Sequence, residues 1–176
     1  MSGPIVGNTA SANSQAGFIV TPNAAQEFRS NSAIGNAGPG VIVNFSPDPF
    51  TVQYGAFASF SGNNLYGNDR NRPMLAVNPA GHPISIGPNQ LGYNPGPGAH
   101  CGVLNVGALA ALTPQSGPLP PPPVIQLQAT NNFWGSNRGP QATGAGDAVG
   151  GACDQNGGVT VGKPFATTAY PITTSP

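Results

Sequence analysis

The chain has 176 residues, enough for one domain, and charged residues make up only 6% of it, five basic against five acidic. That density excludes the electrostatic footprint that nucleic acid or an anionic lipid surface requires, and no apolar stretch approaches the roughly 20 residues of a membrane span. There are 26 glycines and 21 prolines, 47 of 176 residues, a level that points towards disorder; yet 38% of the chain is hydrophobic, in short β-prone runs such as Phe18-Ile19-Val20, Val41-Ile42-Val43 and Val124-Ile125-Gln126-Leu127, and these predict ordered β structure.

From the N-terminus a phrase recurs. Asn8 to Asn13 leads to Phe18-Ile19-Val20, and Asn31 to Asn36 leads to Val41-Ile42-Val43, each element displaced by 23 residues. A third copy, Asn63 to Asn68, ends in Met74-Leu75-Ala76-Val77. A unit of this size is too short for a domain and reads as one coil of a solenoid. Residues 4–77 are therefore predicted as regular all-β coils. In each, a short strand supplies the inward residues, and Gly or Asn makes a corner, since these residues accept a positive φ most readily. Coils stacked about 4.8 Å apart would let equivalent asparagines hydrogen-bond in a ladder. Its predicted members are Asn8, Asn13, Asn31, Asn36, Asn63 and Asn68.

The longer spacing before the third copy fits an excursion at Asn44–Phe50, where Pro47 and Pro49 prevent continuous strand pairing. Asp69-Arg70-Asn71-Arg72 is the densest charged cluster. Arg70 and Arg72 beside Asp69 could hold an acidic sugar's carboxylate, and Tyr66 could stack on the ring; these four residues are the candidate ligand-binding set. The competing reading is a solvated loop.

Residues 78–123 read as a long Pro/Gly-rich insertion. Pro120–Pro123 favour an extended spacer without backbone donors. His82 and His100 lie in Pro/Gly loops and read as surface residues. Cys101 and Cys153, the two cysteines of the chain, read as one disulfide tying this insertion to the C-terminal region. A metal site with either histidine lacks the usual ligand spacing, so no metal or cofactor is expected.

Val124 resumes the β pattern, which continues through about residue 135 with Asn131-Asn132-Phe133-Trp134-Gly135 as a corner. Phe133 and Trp134 are expected to fill the core. Residues 136–176 read as an end cap covering the last exposed strand edge. The acidic residues, Glu27, Asp48, Asp69, Asp147 and Asp154, are too scattered to suggest the carboxyl pair of a glycosidase, and no catalytic residue is predicted.

Taken with their spacing, Asn31–Val43, Asn131–Pro140, Gly146–Val149 and Lys163-Pro164-Phe165 resemble the repeat and closing segments of the bacterial right-handed parallel β-helix repeat proteins. The resemblance covers most of residues 4–77 and 124–170. It implies a right-handed, three-faced parallel β-helix from an exported, carbohydrate-associated or surface-adhesive family. The expected function is a non-enzymatic scaffold for structural display or weak glycan binding, at the cell surface or outside the cell. The alternative is a fragment of a polysaccharide lyase or glycoside hydrolase whose active site lies on missing coils. With only about four coils and no leader at Met1, the chain is expected to lack its natural beginning. Its expected partners are a polysaccharide or the preceding coils of a longer chain, with nucleic acid excluded.

Overall fold

A computed structural model describes residues 3–20, 26–44, 57–65, 75–78, 84–91, 101–105, 125–141, 146–155 and 158–171. Among these the protein is all-β, its helical content a single 3-10 turn at Gly151–Cys153, and the strand pairings are parallel. Short strands separated by Gly, Asn and Ser corners can satisfy their backbone groups only from neighbours above and below, and that requirement organises the molecule.

Strands β1 (Ile5–Val6), β2 (Thr9–Ser11) and β3 (Phe18–Val20) form a first layer, and β4 (Gln26–Arg29), β5 (Ser32–Ile34) and β6 (Val41–Asn44) a second. Ile5 pairs with Phe28, Thr9 with Ser32 and Phe18 with Val41. All three offsets are 23 residues, the period of the repeated phrase, and Ile19 lies opposite Ile42. The third layer keeps the register at longer spacing. In it β7 (Phe57–Ser61) pairs with β4, Asn64 bridges Ser32, and β8 (Leu75–Asn78) pairs with β6.

The chain between residues 78 and 123 is not simply an insertion. Strand β9 (Ile84–Ser85) is followed by Gly87, whose amide donates to the Phe60 carbonyl at 3.0 Å. Gln90 bridges Asn64, and β10 (Val103–Asn105) pairs with β8. Residues 84–91 and 101–105 thus continue the columns of the preceding layers. Prolines 79, 83 and 88 hide this from a strand search, because they interrupt the apolar alternation without preventing the flanking residues from pairing. The stretch read as a cap also contributes strands. After β11 (Ile125–Gln128) and the pair β12 (Pro140–Gln141) and β13 (Gly146–Ala148), β14 (Gly158–Val161) pairs with β11 along its whole length. Phe165 packs against the core beyond it.

The interior is filled by columns of like side chains. Phe28 stacks on Phe60 with ring centroids 4.9 Å apart and planes inclined by 15°, and Phe18 meets Phe28 edge-on at 5.5 Å. Beside them the apolar residue two places after each corner asparagine is buried, from Ala33 through Leu65 and Leu91 to Trp134. Each such side chain removes its full apolar surface from water, worth about 1.5–3 kcal/mol for a residue of leucine size.

Candidate functional site

The corner that precedes this apolar column carries an asparagine in five layers: Asn8, Asn31, Asn63, Asn89 and Asn132. The side-chain oxygen of each rung after the first accepts two bonds from the rung before. Asn31 Oδ1 accepts from Asn8 N (2.9 Å) and Nδ2 (3.1 Å), Asn63 Oδ1 from Asn31 (3.0 and 3.3 Å), Asn89 Oδ1 from Asn63 (3.0 and 2.9 Å), and Asn132 Oδ1 from Asn89 (2.8 and 3.1 Å). The second proton of each Nδ2 reaches back to a carbonyl of the preceding layer: Asn31 to Ile5, Asn63 to Phe28, Asn89 to Phe60 and Asn132 to Ile86. Asn31, Asn63 and Asn89 thereby use both donors and both acceptor sites of the carboxamide. No other side chain of this size could do the same at a buried corner.

A second, shorter ladder joins Asn13 to Asn36. Asn36 Oδ1 accepts from Asn13 N at 3.1 Å and Nδ2 at 2.8 Å, and Asn36 Nδ2 donates to the Ala10 carbonyl at 3.1 Å. Asn68 lies outside the described residues. Asn89 and Asn132 are rungs that the five-residue asparagine spacing does not reveal. The signal that finds them is the triplet of asparagine, any residue and an apolar residue: Asn89-Gln90-Leu91 and Asn132-Phe133-Trp134, alongside Asn63-Asn64-Leu65.

The residues between ladder and core form a further column, Ser32, Asn64, Gln90 and Phe133, joined by parallel bridges. Ser32, Asn64 and Gln90 are nevertheless buried, because the C-terminal segment folds back over them. It is held there by the Asn131 amide donating to the Pro164 carbonyl (2.6 Å), the Ala166 amide to the Asn132 carbonyl (3.0 Å), and the Tyr170 hydroxyl to the Asn131 carbonyl (2.5 Å). Burial raises the Tyr170 hydroxyl above its ordinary pKa.

Between the column and the tail lies a cleft of about 20 Å³, lined by Ser30, Ser32, Gly62, Asn63, Asn64, Gln90, Tyr170 and Pro171, space for one water or one hydroxyl group. Asn64 Oδ1 and Nδ2 and Gln90 Oε1 are buried there without a partner among the described residues. The cleft therefore offers a neutral donor and two neutral acceptors, a set suited to hydroxyl or amide groups rather than to ions.

The ligand candidates Tyr66, Asp69, Arg70 and Arg72 lie outside the described residues, as do His82, His100 and Asp48. Of the other acidic residues, Glu27 pairs with Arg29 at 2.8 Å on the surface, and Asp154 accepts from the Thr160 amide (2.9 Å) and hydroxyl (2.6 Å). Both roles are structural, and the exposed ion pair contributes about 0–1 kcal/mol. Among the described residues no three His, Cys, Asp or Glu side chains converge to hold a metal ion. No helix among them is long and apolar enough to cross a membrane.

Cys101 and Cys153 are joined in a disulfide across 52 residues. It fastens two neighbouring layers, which are also bridged between Cys101 and Ala148 and between Asn105 and Asp154. In comparisons with known proteins, no protein family, no curated protein and no solved structure matches the chain.

Proposed function

We propose that the stacked layers are coils of a right-handed parallel β-helix, and that the protein is a structural scaffold of an exported or cell-surface protein that displays its lateral surface and binds glycans weakly. The observation that carries this reading is the run of five corner asparagines from Asn8 to Asn132. A continuous ladder commits the interior to holding coils in register, which is a mechanical role. The disulfide supports an oxidising compartment, where such bonds persist. The cleft at Asn64 and Gln90 supports hydroxyl recognition, and its small size keeps the affinity low.

The test is a glycan array, with turnover of acidic polysaccharides followed on the same sample. Retention of one glycan class, abolished by Asn64→Leu with Gln90→Leu at unchanged melting temperature, is the expected result. A blank array removes the glycan part of the reading. Release of sugar fragments would replace the scaffold by a polysaccharide-cleaving enzyme.

A further inference from the structure

The two ends of the stack differ. At the C-terminal end, residues 164–170 lie against the last rung, Asn132, and Phe165 packs on the core. At the other end β1, β2 and β3 are each the edge strand of their sheet. The side chains of the first layer are half-exposed at Ile5, Ala10 and Phe18, whereas their stacked counterparts Phe28, Ala33 and Val41 are 0% exposed. Ile19 is 68% exposed and Val6 36%.

The hydrogen bonding at this end is one-sided. Asn8 and Asn13 are exposed; their backbone and side-chain nitrogens already donate to Asn31 and Asn36, and Asn8 Nδ2 also turns to the Val6 carbonyl. Among the described residues their Oδ1 atoms accept no hydrogen bond. In every later rung that oxygen receives two donors from the layer before it.

We propose that the edge formed by β1, β2 and β3 is a docking surface for one turn of a partner polypeptide that bends at the same corners and runs parallel to each strand, its own asparagines donating from backbone N and Nδ2 to Oδ1 of Asn8 and Asn13. The polarity of the ladder selects this occupant. A second copy meeting the first face to face would set acceptor against acceptor. A second copy stacked head to tail would meet the segment that covers Asn132. A donor-bearing segment instead completes both ladders, buries the cross-section at Ile5 and Phe18, and pairs three exposed edges in the manner of strand addition. The inference rests on the observed stacking and is independent of glycan binding.

The test uses the full chain and a fluorescein-labelled peptide copying residues 3–20, the sequence that already makes these bonds to the second layer. A second peptide carries alanine at both asparagine positions. Saturable anisotropy changes with the first peptide, slowed hydrogen exchange at the amides of β1–β3, and binding at least roughly tenfold weaker for the alanine peptide are the expected results. No binding at millimolar peptide, or equal binding of the two peptides, would overturn the proposal. So would concentration-dependent self-association of the chain alone that protects the Ile19 amide, since a second copy would then occupy the face.

Discussion

Asn63 Oδ1 accepts hydrogen bonds from both the backbone nitrogen (3.0 Å) and the Nδ2 (3.3 Å) of Asn31, while its own Nδ2 donates to the Phe28 carbonyl on one side and to Asn89 Oδ1 on the other. One neutral side chain thus satisfies two asparagine neighbours and a buried carbonyl. Removing it leaves several buried polar groups without partners. Each such orphan costs about 1–3 kcal/mol, so Asn63→Ala is expected to destabilise by about 3 kcal/mol. Asn63→Asp, nearly the same shape, should cost at least as much, because a carboxylate would face the two acceptors that Nδ2 now serves. Asn8→Ala, at the exposed first rung, should cost about 1 kcal/mol or less. Urea titrations of the three variants check this order; equal effects at Asn8 and Asn63 would refute a cooperative buried ladder.

Ala12 sits at a corner with φ 54°, in register with Gly35 at φ 65°. A left-handed conformation costs a residue with a Cβ about 1–2 kcal/mol, and glycine's greater freedom when unfolded returns roughly 0.5–1 kcal/mol of that. Ala12→Gly is expected to stabilise by about 0.5–1 kcal/mol, read as a rise in melting temperature. Gly35→Ala should do the opposite.

The disulfide closes a loop of 52 residues, which in the chain-entropy model contributes about 4 kcal/mol, an upper figure for measured cases. Reduction, or Cys101→Ser with Cys153→Ser, is expected to lower stability by about 2–4 kcal/mol. Calorimetry with and without reductant measures it, and the double variant should be insensitive to reductant.

Trp134 is fully buried, and its indole nitrogen has no hydrogen-bond partner among the described residues. Trp134→Ala is expected to cost about 3–5 kcal/mol and to unfold the layers around β11 and β14 first. Trp134→Phe keeps much of the volume and removes the orphaned N–H, so it should cost less than half as much. Hydrogen exchange localises the loss; unchanged melting of Trp134→Ala would contradict the role of this residue in the core.

Tyr170 binds its hydroxyl proton more tightly when folded than when unfolded, because burial disfavours the phenolate. The raised folded value means that its contribution is complete below the ordinary tyrosine value of 10.0 and is lost as pH rises through the folded value. Ionisation also removes the donor to the Asn131 carbonyl. The C-terminal segment should therefore loosen above about pH 10, detected as faster cleavage after Phe165 by an alkaline-active protease. Tyr170→Phe should show the looser behaviour already at neutral pH and lose this pH dependence.

How much of this was legible depended on how local each feature is. The 23-residue repeat placed Asn8, Asn13, Asn31 and Asn36 on their rungs, because the first two layers contain no inserted chain and period equals register. Asn63 was also readable, since it opens the third copy of the phrase although it follows Asn31 at 32 residues. Asn89 and Asn132 were not. They follow at 26 and 43 residues, and a rung needs only a corner asparagine about 4.8 Å from its neighbour, whatever length of chain loops out in between. Periodicity cannot see a register that survives irregular spacing. The strands at 84–85 and 103–105 were hidden in the same way, read as an insertion because prolines surround them.

Composition and pattern alone determined the all-β class, the stacking of like residues, the pairing of the two cysteines and the role of corner asparagines, each being set by chemistry within a few residues or by the count of available partners. The tertiary structure decided where the C-terminal segment lies. Tyr170 covers Ser32, Asn64 and Gln90, residues 80–138 positions earlier in the chain, and turns a lateral polar column into a buried cleft. It also decided which end of the stack is covered and which is open. Both depend on contacts between segments far apart in sequence, whose geometry no local pattern encodes.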